Sequence, residues 1–318
     1  MANLGLNDVL IRSENKTLLP IFNRLRQRND ILSHLQWKES SHKTYHRFLH
    51  RSAEPSGSFV ALGEGITGSR SEVGVVIEPM GLLKDLSEIP EDIVRVSQNP
   101  MQFRFDEDVA FLDGLAKKLV ASIFYGSQAS DPNSFNGLAT RFNEVSKFNV
   151  ISAGGSGTQS CWIISHSADD GVAVIYPAGS HSAGIKMTDR GSQYVDQSAS
   201  NNARVFSVFT EFEFAMGLAV MDHRAALRYC NILATGGSAA NLWDTNEFID
   251  ALKEAWDIST TRAYLTRDLW GQVQKAALAT SGNAISYPED SLGRQTMAIF
   301  GVPHHLVEQL GTESAVGA

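Results

Sequence analysis

SIFYGSQASDPNSFNGLATRF (residues 122–142) and NVISAGGSGTQSCWIISHSADDGVAVIYPAGSHSAG (residues 149–184) decide the fold. Tyr125-Gly126 closes a long amphipathic segment, and Phe135-Asn136-Gly137-Leu138-Ala139 opens the next unit. Gly154-Gly155-Ser156-Gly157 separates two β-rich runs, 148–152 and 160–165, and reads as a hairpin turn. The whole stretch is a helix end followed by turn-punctuated strands, without a catalytic constellation.

Upstream of Gly126 the pattern predicts a helix over 104–125. Val109, Leu112, Leu115, Ala116, Leu119 and Ile123 form its apolar stripe. Asp106, Glu107 and Asp108 fall in the first turn, where the macrodipole favours acids, and Gly126 stands as the C-terminal cap. Downstream, Phe206, Val208, Thr210, Phe212, Phe214 and Met216 alternate with Ser207, Glu211 and Glu213, the period-2 pattern of one long strand. A Gly-Gly-Ser turn at 236–238 leads to a helix with Asp244 or Thr245 as N-cap, Glu247 in its first turn, and Phe248, Ile249, Leu252 and Trp256 on its buried face. Residues 300–310 read as a final strand. Near the start, Pro20 opens an arm helix whose stripe of Phe22, Leu25, Ile31, Leu32 and Leu35 runs up to Trp37. Residues 39–74 are polar and glycine-rich, with Tyr45, Arg47, Leu49 and Arg51 alternating with His46, Phe48 and His50 as in a two-faced β-ribbon. A strand is expected at 73–77, followed by a stretch broken by Pro79, Gly81, Pro90 and Pro100.

With 318 residues, 43% hydrophobic and 19% charged, the chain can bury a large core split into two lobes. Residues 1–51 hold nine Lys or Arg against four acids, a balance of +5 that leaves −13 on the other 267 of a chain whose total is −8. A basic leading segment on an acidic body favours docking between copies over a broad phosphate-binding face. Cys161 and Cys230 fit no metal-ligand spacing and are expected to be small buried hydrophobes without a disulfide. MANLGLNDVL places Asp8 before any apolar run, so neither a signal peptide nor a membrane span is expected.

Catalytic readings fare poorly on chemistry. The GGSG turn has no following Gly-Lys-Ser/Thr and no helix signal that would cradle a phosphate. Ser127, Ser156, Ser182 and Ser238 never stand in G-x-S-x-G. His42, His46 and His50 recur every four residues, but alternation there predicts a strand, on which they share a face without converging on one ion. The acid pairs Asp169-Asp170 and Glu289-Asp290 read as solvated turns. No catalytic residue, metal site or cofactor is expected.

The ordered blocks FYG, FNGLATRF, AGGSGTQS and IYPAGS resemble the major capsid proteins of tailed bacteriophages that share the HK97-like fold. The resemblance runs from about Asn29 onward and is sharpest between Asn99 and Ile232. It implies an α+β fold with an N-terminal arm at 1–38, an extended β-loop at 39–74, a peripheral domain of 75–130 plus 203–235 built on the spine helix, and a compact axial domain of 131–202 plus 236–318. It implies a structural subunit, not an enzyme, that self-assembles as hexamers and pentamers into an icosahedral virion head in the host cytoplasm. Scaffolding protein, portal and a decoration protein would be its partners, with double-stranded DNA enclosed without sequence-specific binding and no membrane involved. A compartment shell of the encapsulin kind is the alternative within the fold, and a soluble hydrolase or nucleotide-binding enzyme lies further off. Arg24, Arg26, Arg28, Leu32, Leu35, Trp37, Arg47 and Arg51 are the expected contacts between copies. The loop's lysines, Lys38 and Lys43, sit near its base in polar company, so non-covalent contacts are expected.

Overall fold

The computed structural model describes residues 29–167, 169–180, 183–198, 203–234, 241–255, 257–279, 285–288 and 296–317. The expected Gly-Gly-Ser turn at 236–238 and Trp256 lie outside them, as do Arg24, Arg26 and Arg28.

Chain order begins with a short helix α1 (Asp30–His34), β1 (Gln36–Glu39) and the ribbon strands β2 (Tyr45–Ala53) and β3 (Glu72–Pro90). Helices α2 (Glu91–Val96), α3 (Pro100–Tyr125) and α4 (Leu138–Arg141) follow, then β4 (Val150–Ser152), β5 (Gln159–Ser165), β6 (Val172–Tyr176), β7 (Ile185–Ser198), β8 (Ala203–Val220) and β9 (Ala226–Ile232). Helix α5 (Thr245–Leu252), β10 (Thr261–Leu265), α6 (Arg267–Ala279), β11 (Ile285–Ser286), β12 (Ala298–Ile299) and β13 (Val302–Leu306) complete the chain.

Helix α3 starts earlier than its stripe predicts. Asn99 accepts a hydrogen bond from the Gln102 amide and Pro100 occupies the first position, where its missing N–H costs nothing. The acids of 106–108 therefore sit beyond the first turn, and Asp108 is buried, which raises its carboxyl pKa. The stripe of Leu112, Leu115, Ala116, Leu119 and Ile123 is buried as its spacing requires. Gly126 ends the helix at φ −55°, so the left-handed cap is not used. Glycine is needed there because a Cβ would fall 2.5 Å from the carbonyl oxygens of Phe135 and Ser122, where the chain crosses itself and Gly137 N–H bonds Gly126 O.

Two sheets flank this helix. The first has the order β1-β6-β8-β3-β2, with β7 also on β8, and the second β11-β12-β13-β10-β5-β9-β4. Strand β8 is the long alternating strand, burying Val208, Thr210, Phe212, Phe214 and Met216, while Phe206 stays partly exposed against Tyr194. One core joins α3 to Phe212, Phe214, Met216 and Leu218 of the first sheet and to Trp162, Ile164 and Tyr264 of the second. A second core, on the far face of the second sheet, packs Leu227, Tyr229 and Leu265 under α5 and α6. Asp244 caps α5 through the Asn246 amide, and Phe248 and Leu252 are buried; Ile249 is partly exposed, because an eight-residue helix buries a narrow stripe.

Several expectations are corrected by long-range pairing. The GGSG turn does not make a hairpin: β4 and β5 both pair with β9, which lies between them, and the turn carries the chain across the end of β9. A Cβ on Gly157 would fall inside the Ile232 backbone. Pro79 and Gly81 do not break the chain either, since β3 runs unbroken for 19 residues. Pro79 lies where the strand passes from β2 to β8, so its missing N–H falls between two ladders. Strands β6 and β7 pair with β8 in the first sheet, whereas β9 pairs with β5 in the second, so the sheets partition 131–235 differently from the sequence division. The final strand is shorter than 300–310, ending at Leu306. Cys161 and Cys230 are buried on neighbouring strands but on opposite faces, in the two different cores. Burial raises both thiol pKa values, that of Cys230 to about 11.

Candidate assembly surfaces

The antiparallel ladder of β2 and β3 gives the ribbon two unlike faces. Arg47 lies opposite Ile77, Leu49 opposite Val75 and Arg51 opposite Val73, whereas His46 lies opposite Glu78, Phe48 opposite Val76 and His50 opposite Gly74. The second set turns toward the body: His46 and Glu78 are buried, and the His50 ring meets His223 edge-on at 5.8 Å. In the first set Arg47, Leu49, Val73, Val75 and Ile77 are bare. Leu49 is 68% exposed and Val73, Val75 and Ile77 each about half, with exposed Arg47 beside them. Beyond the ladder, Phe59, Leu62 and Ile66 are exposed as well. Exposed apolar surface of this kind is a candidate for contact with another surface.

A second exposed patch surrounds the start of α3, where Ile93, Val96, Met101 and Phe105 stand in solvent with Asp106 and Glu107 exposed beside them. Its sign complements the ribbon's Arg47. On the outer face of the first sheet Lys84 bridges Glu211 and Glu213, and Arg190 pairs with Glu211, whose carboxyl pKa is lowered chiefly by that Arg190 bond. These pairs are exposed and add little to stability.

The expected arm contacts divide unequally. Arg47 is exposed on the bare face and Arg51 occupies the ladder position opposite Val73. Leu32, Leu35 and Trp37 are a correction: all three are buried in the core of their own chain. Helix α1 stops at His34, and Trp37 lies in β1, which pairs in parallel with β6. The body of the same subunit covers this part of the stripe, and Phe22 and Leu25 lie outside the described residues.

Two buried polar clusters carry no local sequence signal, because their members are far apart in the chain. In the first, the Tyr264 hydroxyl lies 2.8 Å from His166 Nε2 and 3.1 Å from His34 Nδ1, tying α1 to the second sheet. Burial, then the nearby Arg262 charge, pushes His166 down to about 3, and burial takes His304 down to about 4. In the second, Arg228 pairs with Glu313, and its guanidinium also lies 4.9 Å over the Trp162 ring and donates to Phe142 O at 2.6 Å. Ser160 and Tyr125 hydroxyls donate to the same carboxylate. Among the described residues no three His, Cys, Asp or Glu side chains come together as a metal site would require.

The histidines give stability a pH dependence of definite sign. Their folded pKa values lie below about 6.5, so the unfolded chain binds more protons, and the stability present above that pH is lost as pH falls toward 4. The expected loss is about 2 kcal/mol per histidine by pH 5. Urea midpoints of the unassembled subunit at pH 7 and 5 measure it; equal midpoints would mean that these rings are not held neutral.

A packed body thus projects an apolar ribbon face with exposed Arg47 beside it. The chain belongs to the family of major capsid protein GP7, whose model matches residues 13–317. It is a structural protein of a bacteriophage capsid with the α+β, HK97-like fold. Among solved structures, a chain from bacteriophage Epsilon15 aligns with a TM-score of 0.63 at 22% identity, over 89% of this chain and 88% of that one. The bacteriophage JBD30 capsid aligns over 90% of each chain at 9% identity and TM-score 0.49. The holo-SrpI encapsulin complex from Synechococcus elongatus PCC 7942 covers 71% of this chain and 92% of its own at 9% identity and TM-score 0.44. No curated protein matches the chain.

Proposed function

We propose that copies of this chain assemble as hexamers and pentamers into the icosahedral head of a tailed double-stranded DNA phage or prophage, in the host cytoplasm. The observation that carries the reading is the bare face of the ribbon, Arg47, Leu49, Val73, Val75 and Ile77, which has no core of its own to enter. Laid over a neighbouring copy, it buries that stripe and sets its positive charge against the acids at the start of α3. A shell built from many such repeated contacts is stable in sum while each contact stays weak enough to correct. In this reading the first sheet with α3 is the peripheral lobe and the second sheet the axial lobe. Scaffolding protein, portal and decoration protein are the partners outside the shell lattice. The −13 balance of residues 52–318 suits a container that encloses DNA without gripping its sequence.

Electron microscopy of the purified protein tests the reading: closed particles support it, and a persistent small oligomer overturns it. Val75→Asp places a charge in the stripe while leaving the body intact. Closed particles should disappear while the stability of the subunit changes by no more than about 0.5 kcal/mol. Normal particle yield would mean that the stripe is not a contact.

The contacts are non-covalent. Lys43 is exposed, and Lys38 lies outside the ribbon in β1, 3.7 Å from Asp169. An amide-forming reaction needs a neutral lysine in a dry pocket, which neither position provides. Boiled particles should therefore run as one band near 34.7 kDa under reducing conditions. A ladder of multiples would refute this.

A further inference from the structure

Strand β3 changes partners at a single point. Up to Pro79 it is paired with β2, and from Met80 onward with β8. The outer half is thus a lever rooted at residues 78–80, and its angle depends on what holds those residues to the body. Glu78 is buried there, and its two carboxylate oxygens receive Arg141 Nη1 and Nη2 at 2.5 and 2.7 Å. The same guanidinium donates to Asn136 O at 3.0 Å and Leu218 O at 3.3 Å. Arg141 belongs to α4, which is fastened to the end of α3 by Thr140 Oγ1 donating to Gly126 O at 2.6 Å. One planar group therefore joins the root of the ribbon, the end of the long helix and the central strand β8.

The other contacts at the root are of a weaker kind. His46, the register partner of Glu78, accepts a bond from the Ser41 amide, which belongs to the ribbon's own base. Further out, the His50 ring touches His223 only edge-on. A two-pronged, charge-assisted bond fixes direction as well as distance, because both donors and both acceptors must stay coplanar. Lysine keeps the charge but has no such fork.

We propose that the Arg141–Glu78 pair is the brace that sets the angle of the ribbon against the body, and so the curvature at which neighbouring copies meet. The inference rests on the reading of the ribbon as a contact between copies, but the brace itself is a property of the single subunit and can be measured there. Arg141 and Glu78 act as positioning residues: they hold the ribbon whose bare face meets a neighbour.

The test uses the full chain, kept below its assembly concentration, with spin labels at Val73→Cys on the ribbon and Lys117→Cys on α3. Cys161 and Cys230 are buried and do not compete for label. Electron–electron distance measurements should give one narrow distribution for the otherwise native chain, and a width at least twofold larger in Arg141→Lys and in Glu78→Gln. Both variants, unlabelled, should melt cooperatively and form irregular or open assemblies. Unchanged widths in both variants overturn the brace. A variant that no longer melts cooperatively also counts against it, because the pair would then hold the body together rather than aim the ribbon. If the native chain makes no particles while the widths respond as expected, the assembly reading falls and the brace stands.

Discussion

Glu313→Ala should cost the subunit about 3–5 kcal/mol, a large share of the stability of an ordinary domain. The Arg228 side chain is 4% exposed and that of Glu313 6%, so removing the carboxylate strands a guanidinium in the core. Tyr125 and Ser160 lose their acceptor in the same step, and the buried Ser160 hydroxyl adds to the cost. The segment around Glu313 is held by other bonds too: Asn231 Nδ2 donates to Val316 O, Val316 N–H donates to Asn231 Oδ1, and Val145 N–H donates to Gly317 O. Losing the central anchor should therefore free this segment and expose the ends of β5 and β9 together. Urea unfolding of the unassembled subunit measures the effect. The double change Arg228→Met with Glu313→Leu should recover the part of the loss due to the stranded charge, since an apolar pair carries no charge-desolvation penalty, while the Tyr125 and Ser160 hydroxyls stay without their acceptor. A cost below about 1 kcal/mol for Glu313→Ala would mean that water reaches the pair.

That cluster marks a boundary of what the sequence tells. Helix α3 was legible because its stripe repeats at helical spacing over many turns and Gly126 closes it, and β8 because its alternation runs far longer than chance. Both signals are local. Glu313 meets Arg228, Ser160 and Tyr125 from distant parts of the chain, and a single glutamate in a polar segment carries no mark of its burial. The same reason explains the GGSG turn: turn chemistry shows that the chain bends, not which strand slips in between, and only the pairing of β9 places it. At Pro79 the local rule against proline in a strand gave way because the residue falls between two ladders. Leu32, Leu35 and Trp37 read as an apolar stripe that must be covered; whether by the same subunit or another is decided by tertiary packing, which periodicity does not encode. Arg47 was legible as part of a two-faced ribbon, and its face is the bare one. The brace at Arg141 lies within the FNGLATRF block, yet nothing local links it to Glu78.

Phe124→Ala should destabilise the subunit by about 3–5 kcal/mol and act on folding before assembly is reached. Phe124 is fully buried at the last turn of α3, where its ring lies 6.0 Å from Trp162 and 6.4 Å from Tyr264 in centroid separation. It is the point at which the helix that backs the first sheet meets the second sheet, so its removal leaves a cavity between the lobes rather than within one. The neighbours have little freedom to fill that space. Trp162 is fixed under the Arg228 guanidinium, and Tyr264 by its bonds to His34 and His166. A site that cannot collapse pays for both the lost contacts and the void. The loss should also be non-additive with Glu313→Ala, because Trp162 lies against Phe124 and against Arg228, the partner of Glu313, and a double-mutant cycle would show coupling of about 0.5–3 kcal/mol. Leu119→Ala, about one and a half turns earlier and facing the first sheet, should cost about 2–5 kcal/mol, with weaker coupling to that cluster. If Phe124→Ala melts like the native subunit and fails only at particle formation, the last turn of α3 is a contact between copies, and the two sheets are not held together through it.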